Sequence, residues 1–514
     1  MSSVDEFFSR YDDLITDAIN RYHVPGISIA VVDGESILAR GYGLARFPDV
    51  KSTAQTLFNG ASLTKALVAA SISLLVDDDE CRPEVQWSTP VSQLLREDFV
   101  LSDSRTDLVT IEDILSHRTG LPDQDDACMG IHAEQPDTPR SVTRKLRYLP
   151  LTAPLRTSFQ YCNMMYVVAV HLVETLTGLS MGDYLRRTIS GPLGMSNSHL
   201  GHDEVITHGA LDELAKGYGW DDDKLEYFEI DWPIQPEAVG AGEIISTATD
   251  FACFLRCMIH KTMPISAEGH DELVKPRTIV PERPSPFRSQ QLYALGWLTS
   301  TYHGESIIDH SGGTSGFGSH MIYLPKQHWG LVILGNAMES SRAINKIMWT
   351  MVDDLLRVPK EKRFDWDRHR VEDWTEWRLK AYKELYPKTP NPPIPLTLPL
   401  PAYAGSYQHK GYGALTVNMR DAKLEIDAMD RTYRFKLFLT HISGEFFVAE
   451  RRDVDSRDKE IVQAAFRLNV DGAVAYFGVA LIPGRDKELI WFRRVLRQVP
   501  RAGFEVLLTE PRPS

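Results

Sequence analysis

Apolar and polar positions in the first part of the chain follow two different periods. Residues 5–22 have the spacing of an amphipathic helix, whereas Gly26 to Ala39 holds two apolar runs joined at Asp33-Gly34, which predicts a β-hairpin. The segment FNGASLTKALVAASISLL, over 58–75, predicts a short extended stretch and a turn of small residues, followed by a long helix that begins near Ser62. This helix is apolar on almost every side, so we expect it at the centre of the fold.

Further helices are indicated by the residues at their starts. Thr110 and Asp113 match a capping box for the helix that contains IEDILSHR, and Thr247 with Asp250 matches a second box for DFACFLRCMI. Residues 164–176 predict a third helix. Helices are therefore expected between the first hairpin and about residue 260.

The rest of the chain has the pattern of β-structure, interrupted once. Residues 296–336 predict antiparallel strands, and strands at both ends of this region with helices between them predict an α+β domain whose terminal portions meet in one sheet. Residues 387–401 hold seven prolines in fifteen positions, which predicts a stiff extended linker. We expect one domain over 1–360, a helical and proline-rich linker over 361–401 and a small β-barrel or sandwich over 402–514.

The composition limits the classes of partner. The formal net charge is -14 over 514 residues, and because a nucleic acid or an anionic membrane surface needs a basic footprint, we expect neither as a partner. No apolar run approaches the roughly 18 residues of a transmembrane helix, and MSSVDEFFSRYDDL shows neither a secretory signal nor a transit peptide. The expected partner is a small uncharged or cationic molecule.

The cysteines favour a reducing compartment. Their number is odd and they form no CxxC pair; they are Cys81, Cys128, Cys162, Cys253 and Cys257. We therefore expect a cytoplasmic protein without a disulfide framework. The last two lie one helical turn apart like a metal pair, but no histidine stands at zinc-finger spacing, so we interpret them as buried residues of one helix face and expect no metal or other cofactor.

Ser62 and Lys65 form an SxxK motif at the predicted start of the central helix. On a helix, positions i and i+3 bring their Cβ atoms within about 5–6 Å, so the amine can reach the hydroxyl. Apolar neighbours favour the neutral amine, and the helix N-terminus offers a backbone N–H at Ser62 to a developing oxyanion. By spacing alone, however, an N-capping Ser62 and a surface Lys65 are the favoured explanation.

Two further motifs reverse that preference. Tyr161-Cys162-Asn163 stands about a hundred residues downstream, where a tyrosine can share a proton with Lys65 and an amide can hold a substrate carbonyl. His310-Ser311-Gly312-Gly313 enters a predicted strand, and its glycines let backbone N–H groups approach a ligand closely. The alternatives are a core aromatic residue, a helix cap at Asn163 and a plain glycine-rich turn.

The ordered trio of SxxK, YxN and a basic-residue/Ser/Gly strand resembles class C β-lactamases, penicillin-binding proteins and related esterases and D-aminopeptidases. ILSHRTGLP, PLGM at 192–195 and HSGGTSGFGS at 310–319 extend the resemblance, which covers about residues 8–340. The region from about Ala402 resembles the lipocalin-like β-domain often appended to these hydrolases. The resemblance implies an α+β fold with a β-lactamase/transpeptidase-like antiparallel sheet flanked by helices, followed by a small all-β C-terminal barrel.

The same resemblance implies hydrolysis of an ester or amide bond of a small molecule through an acyl-enzyme. The roles fall on Ser62 (nucleophile), Lys65 and Tyr161 (proton transfer), the N–H groups of Ser62 and Gly313 (oxyanion hole), Asn163 (orientation of the acyl group), and Ser311 and Gly312 (substrate-binding strand). At His310, also placed in the catalytic group, β-lactamases usually carry a lysine. Because an imidazole with a pKa of about 6.5 is largely neutral near pH 7, we do not expect efficient β-lactam hydrolysis.

Other candidate residues have better structural explanations. Gly178-Leu179-Ser180-Met181-Gly182 matches a GxSxG elbow, but a helix precedes it where an elbow needs a strand, so Ser180 is expected to cap the next helix. His117 and His171 fall inside predicted helices without a paired acid and are interpreted as structural or surface residues. Two other functions stay open: acyl transfer from the same acyl-enzyme to an alcohol or amine, and a catalytically silent scaffold or binding protein.

Overall fold

The structure is a computed structural model that describes residues 3–281, 288–365, 374–455 and 459–495. Its helices are α1 (Ser3–Phe8), α2 (Asp12–Arg21), α3 (Thr64–Val76), α4 (Val91–Leu95), α5 (Ile111–Leu115), α6 (Pro139–Lys145), α7 (Asn163–Thr177), α8 (Met181–Leu185), α9 (His202–Thr207), α10 (Val239–Gly242), α11 (Ala248–His260), α12 (Ala267–Val274), α13 (Ser340–Leu355) and α14 (Trp374–Leu385). Its strands before the proline-rich segment are β1 (Gly26–Asp33), β2 (Ser36–Arg46), β3 (Val50–Lys51), β4 (Phe58–Asn59), β5 (His199–Leu200), β6 (Gly217–Asp221), β7 (Glu226–Ile230), β8 (Ile244–Ser246), β9 (Thr278–Ile279), β10 (Leu292–Tyr293), β11 (Leu298–Tyr302), β12 (Glu305–Thr314), β13 (Phe317–Leu324) and β14 (Trp329–Gly335).

Nine of these strands form one antiparallel sheet in the order β3-β2-β1-β14-β13-β12-β11-β10-β9. β1 and β2 form the expected hairpin, closed by the pair of Asp33 and Ser36. β1 also pairs with β14, from Ile27 opposite Gly335 to Asp33 opposite Trp329. The first and last strands of this region are therefore neighbours, which confirms the predicted α+β sheet with helices between its terminal strands.

The two faces of the sheet carry different helices. Ala30 and Val32 of β1 pack in the cluster that contains α3, α7 and α11, whereas Ile29 and Val31 pack in a second cluster with α2 and α13. This division follows from the alternation of side chains along a strand. α3 is buried at every position except Leu74, as its uniformly apolar sequence predicts.

Two helices differ from the sequence-based expectation. The stretch 5–22 forms α1 and α2 because the chain turns between them: the N–H of Tyr11 donates to the carbonyl oxygen of Phe8 at 2.8 Å, and both side chains are buried. Two aspartates then open α2, where the helix dipole favours them. α5 has the predicted capping box but ends at Leu115, so that His117, with a φ of 56°, lies in the following turn and not in a helix.

The C-terminal strands close into a barrel. They are β15 (Gly405–His409), β16 (Gly413–Arg420), β17 (Lys423–Ala428), β18 (Phe435–Ser443), β19 (Phe446–Asp453), β20 (Lys459–Leu468), β21 (Val474–Ala480) and β22 (Leu489–Val495). Each pairs with the next, and β15 pairs with β22 through Ser406 opposite Val495. The prediction of a small all-β C-terminal barrel is confirmed.

The proline-rich segment 387–401 lies along this barrel. The N–H of Ile394 donates to Oγ of Ser443 at 3.0 Å, and the N–H of Gly444 donates to the carbonyl oxygen of Ile394 at 2.8 Å. No helix or strand occurs in the segment before Leu400, as its proline content predicts.

Barrel residues also contact the loop that follows α5. The hydroxyl of Tyr412 donates to Oε1 of Gln124 at 2.9 Å. The N–H of Thr432 donates to the carbonyl oxygen of Cys128 at 3.1 Å, and the N–H of Gly130 donates to that of Asp430 at 3.0 Å. The barrel is thereby joined to the loop by both backbone and side-chain bonds.

Within the described ranges, the structure contains no cluster of three or more His, Cys, Asp or Glu side chains that could hold a metal ion. Cys257 is buried on α11, and its thiol contacts the carbonyl oxygen of Thr262 at 3.2 Å, whereas Cys253 on the same helix is only partly buried. Among the same residues, no single helix has the length and apolarity to cross a membrane; the pair Asn163–Thr177 and Met181–Ser190, bent by 77°, meets those criteria together.

Candidate active site

The turn in front of α3 presents Ser62. α3 begins at Thr64, so Ser62 lies just before the helix. Ala61 has a positive φ of 47°, and its N–H donates to Oδ1 of Asn59 at 2.7 Å. Oγ1 of Thr64 donates to the carbonyl oxygen of Ala61 at 2.6 Å and accepts the N–H of Ile244 at 3.0 Å. These bonds fix the turn against β8.

Two polar side chains reach the hydroxyl of Ser62. Nζ of Lys65 lies 3.1 Å from Oγ of Ser62, and the hydroxyl oxygen of Tyr161 lies 2.9 Å from the same atom. Nζ of Lys65 also donates to the carbonyl oxygen of Ala241 at 2.8 Å. Because the carbonyl oxygen of Ala241 accepts one N–H of the Lys65 amine, the lone pair of the neutral amine can face the hydroxyl of Ser62. The three motif residues predicted to act together are therefore in contact.

The environment of Lys65 favours its neutral form. The side chain is wholly buried, and this burial lowers the pKa of Lys65 to about 7, although the carboxyl groups of Asp125 and Asp123 raise it. By contrast, burial raises the pKa of Tyr161 far above its ordinary value. Near neutral pH Lys65 can accept a proton, whereas Tyr161 keeps its own.

Aromatic rings pack around Tyr161. Its ring centroid lies 4.3 Å from that of His117 and 6.5 Å from that of Tyr293. Nδ1 of His117 accepts the N–H of Cys162 at 3.1 Å, and burial lowers the pKa of this imidazole well below its usual range. His117 is thus a neutral, buried residue that supports the Tyr161 segment, in agreement with its interpretation as structural.

Asn163 forms the first residue of α7, and its amide points to a carboxylate. Nδ2 of Asn163 donates to Oδ2 of Asp125 at 2.6 Å. Burial raises the pKa of Asp125, although this bond and the nearby Lys65 lower it. The N–H of Asp125 donates to Oδ1 of Asp123 at 3.0 Å. An acidic turn that the sequence motifs do not include is therefore bound to the YxN motif.

Gly312 and Gly313 lie on the edge of β12 that faces Ser62. A Cβ on Gly312 would collide with Oγ of Ser319 and stand 2.5 Å from the carbonyl oxygen of Gly60 and 3.1 Å from the N of Ser62. Gly312 faces Ser319 across the hairpin of β12 and β13, and Gly313 faces Gly318. Because ladder bonds alternate along an antiparallel strand, only one of the neighbouring N–H groups of Gly312 and Gly313 is directed at β13. Only glycine at 312 permits this approach.

The imidazole of His310 is hydrogen-bonded to groups other than Ser62. Its Nδ1 lies 2.7 Å from the carbonyl oxygen of Ser311, and its Nε2 lies 2.9 Å from the hydroxyl of Tyr293. Burial, with a smaller contribution from Lys65, lowers the pKa of His310 to about 4. The imidazole is therefore neutral near pH 7, with Nδ1–H donating and Nε2 accepting. Ser311 is exposed and points to the opposite face of the strand.

Ser180 and His171 lie outside this constellation. Oγ of Ser180 accepts the N–H of Asp183 at 3.1 Å and so caps α8, as predicted. His171 lies in α7, but it has an acidic partner that the sequence did not reveal: its Nε2 is 3.1 Å from Oδ2 of Asp98. Neither residue contacts Ser62, Lys65 or Tyr161 in the part of the chain that the structure describes.

Residues next to the barrel strands share a cavity with the glycines of β12. This cavity, of about 380 Å³, is lined by Gly312 and Gly313 and by Tyr433 and Arg434, which directly precede β18. A second cavity, of about 240 Å³, is lined by Tyr433 and by acidic residues that include Asp125. Tyr433 borders both cavities. Sequence motifs gave no signal for this tyrosine, for the carbonyl group of Ala241 or for the bond between Asp125 and Asn163.

Comparison with known proteins finds a family model for each of the two parts of the chain. The Beta-lactamase family model matches residues 11–351, and the model of a domain of unknown function, DUF3471, matches residues 389–494. The structure of the octameric penicillin-binding protein homologue from Pyrococcus abyssi is similar over 91% of this chain and 97% of its own, with a TM-score of 0.59 and 21% identity.

Two relatives align with nearly the whole chain. Unguisins hydrolase ungD' of Aspergillus campestris is 37% identical over 501 residues, which cover 96% of this chain and 93% of the relative. Unguisins hydrolase ungD of Aspergillus violaceofuscus is 38% identical over 511 residues, which cover 94% and 89%. Since the family model spans well over half of the residues and these relatives extend across both regions, the chain belongs to the β-lactamase family.

Proposed function

We propose that this chain is a serine hydrolase that cleaves an ester or amide bond of a small molecule through an acyl-enzyme on Ser62. The observation that carries the proposal is the position of Oγ of Ser62, 3.1 Å from Nζ of Lys65 and 2.9 Å from the hydroxyl of Tyr161. A serine hydroxyl becomes an effective nucleophile only with a base within hydrogen-bond reach. The buried amine of Lys65 meets that requirement.

In the acylation step, Oγ of Ser62 attacks the carbonyl carbon of the substrate while its proton passes to Nζ of Lys65. The N–H groups of Ser62 and Gly313 stabilise the oxyanion of the tetrahedral intermediate. The bond between the carbonyl carbon and the leaving group then breaks, and the leaving oxygen or nitrogen receives the proton by way of the Tyr161 hydroxyl. This step leaves the acyl group as an ester on Ser62 and restores the neutral amine.

In the deacylation step, water takes the position of the leaving group. Lys65, with Tyr161 as the proton relay, removes a proton from the attacking water, and Ser62 recovers its proton when the acyl ester breaks. Asn163 lies at the start of α7, where its amide can orient the acyl group while Asp125 holds it. Transfer of the acyl group to an alcohol or amine would follow the same steps.

His310 supports the side chains of this site and does not serve as a positively charged group that binds the substrate. Its neutral imidazole accepts the Tyr293 hydroxyl, and that ring packs next to Tyr161. No fixed positive charge therefore stands at the position where β-lactamases usually carry a lysine. We propose that the substrate needs no carboxylate at this point and that β-lactams are poor substrates.

The relatives suggest which compounds to test first. Two proteins named unguisins hydrolase are 37% and 38% identical to this chain over more than nine-tenths of its length. We therefore propose an unguisin, or a compound of related structure, as the substrate. The cleft between β12 and the barrel, with its cavity of about 380 Å³, is the proposed binding place.

The test compares wild-type protein with Ser62→Ala on unguisins and on p-nitrophenyl esters of increasing acyl length. Wild type should release product from at least one of them, and S62A should release none while keeping the wild-type circular dichroism spectrum. Addition of an amine or alcohol acceptor, followed by product analysis, separates hydrolysis from acyl transfer. Equal activity in S62A would refute the proposed nucleophile.

A further inference from the structure

Arg451 of the barrel forms a buried ion pair with the loop that carries Asp125. The two Nη atoms of Arg451 donate to the two carboxylate oxygens of Asp126, one of them at 3.0 Å. The side chains of Arg451 and Asp126 are only 12% and 7% exposed. A bidentate pair shielded from water fixes both distance and orientation, unlike an exposed ion pair. Together with the bonds of Gln124, Cys128 and Gly130 to the barrel, the pair therefore holds this loop in its position.

The barrel also fixes the guanidinium group from its own side. Nε of Arg451 donates to Oδ1 of Asp453 at 2.8 Å, and the guanidinium carbon lies 4.4 Å from the ring centroid of Phe435. Arg451 lies in β19 and is paired with Leu437 of β18; both strands belong to the closed barrel. The arginine is consequently anchored to the barrel wall before it meets Asp126.

The other end of the connection is the YxN motif. Asp126 directly follows Asp125 in one short turn, and Asp125 accepts the amide of Asn163 at 2.6 Å. The N–H of Thr432 holds the same turn at its far end, through the carbonyl oxygen of Cys128. A continuous set of bonds thus joins β19 to the first residue of α7.

We propose that Arg451 is a positioning residue for the hydrolase site: through Asp126 and Asp125 it holds the amide of Asn163 in place, so that the barrel takes part in acylation without contacting the reacting atoms. This inference rests on the proposed function. Displacement of a substrate-orienting group by about 1 Å can lower a rate about a hundredfold. Loss of Arg451 should therefore slow the chemical step more than it weakens substrate binding.

The experiment measures kcat and KM for p-nitrophenyl acetate in full-length variants. Arg451→Met should lower kcat about tenfold or more, with KM changed less than about threefold. Arg452→Met is the matched control, because Arg452 is the next residue of β19 and pairs with Glu450 within the barrel; its kcat should stay within about twofold of wild type. Circular dichroism and thermal unfolding establish the folded fraction of each variant.

A double-variant cycle separates positioning from a general loss of stability. If Arg451 acts through Asn163, then Asn163→Ala combined with R451M should be no slower than N163A alone. If the two losses multiply, or if R451M keeps the wild-type kcat, the positioning role is refuted. Should R451M fail to fold, Asp126→Asn provides the same test, because it keeps the volume and removes the charge. Lack of turnover in wild type with p-nitrophenyl acetate, with the longer nitrophenyl esters and with unguisins refutes the proposed function itself, whereas turnover in wild type with an unaffected R451M refutes only this inference.

Discussion

Nζ of Lys65 stands 3.1 Å from Oγ of Ser62 at a position that water does not reach. Burial of an ammonium group without a carboxylate in direct contact disfavours its charged form. The buried start of α3 therefore both brings the amine of Lys65 to the hydroxyl of Ser62 and lowers the pKa of Lys65 to about 7, so that a large fraction of the amine is neutral near physiological pH. Proximity and a changed protonation equilibrium have a single structural cause.

The first prediction concerns the pH dependence of kcat/KM for a nitrophenyl ester. Only the unprotonated Lys65 accepts the Ser62 proton, so activity should fall as pH decreases through the pKa of about 7. Activity should be full above that value and fall about tenfold per pH unit below it. A profile that stays flat from about pH 5 to pH 9 would rule out Lys65 as the base.

The second prediction concerns Asp125, whose charge raises the pKa of Lys65. Asp125→Asn removes the charge and keeps an oxygen that can accept the Asn163 amide. The pKa of Lys65 should then decrease, and the acid limb of the pH profile should move to lower pH. Asp222→Asn, a change at an exposed position, is the control and should leave the limb in place. A D125N limb that coincides with that of wild type would contradict the electrostatic coupling.

The third prediction concerns the contact between β12 and the Ser62 turn. Gly312→Ala should lower the acylation rate at least about a hundredfold, because its Cβ would force β12 away from Gly60 and Ser62. Gly313→Ala should cost much less, since a Cβ there meets no atom within 4 Å. Stopped-flow release of nitrophenolate measures both rates. Equal effects of the two substitutions would contradict the described approach of the strand.

The fourth prediction concerns stability and His310. An unfolded histidine binds a proton near pH 6.5, whereas burial lowers the pKa of folded His310 to about 4. Between these two values the unfolded state binds a proton at His310 and the folded state does not, so the free energy of unfolding should decrease as pH falls from about 6.5 to about 4. The decrease from this residue should be on the order of 3 kcal/mol. Urea unfolding of wild type and His310→Gln measures it, and identical pH dependence in the two proteins would contradict a neutral, buried His310.

Much of the architecture could be predicted from the sequence because it depends on local patterns. The hairpin of β1 and β2, the apolar helix α3 and the closing barrel all follow from periodicity and turn residues. The division of 5–22 into two helices was missed: the chain turns after Phe8, where the N–H of Tyr11 donates to the carbonyl oxygen of Phe8, and residues three apart share a helix face with or without this turn. Such a turn leaves no mark on helical periodicity.

The site shows a similar limit. Ser62, Lys65 and Tyr161 were predicted as site residues because they stand in motifs with defined spacing and because the chain resembles a known family. The role of the Ala241 carbonyl group could not be predicted, because every residue has a backbone carbonyl and the sequence does not mark the one that accepts the amine of Lys65. Tyr433 and Arg451 lie more than 300 residues after Ser62 in another part of the fold, and only the docking of the barrel brings them to the loops of the site.

The most direct test of the central claim is peptide mass spectrometry after brief exposure of wild-type protein to p-nitrophenyl esters, quenched in acid. We predict that the acyl mass is found on the peptide containing Ser62, that it disappears as the ester is hydrolysed, and that it is absent from Ser62→Ala. An acyl group on another residue, or turnover of the ester with Ser62 never modified, would contradict the acyl-enzyme mechanism.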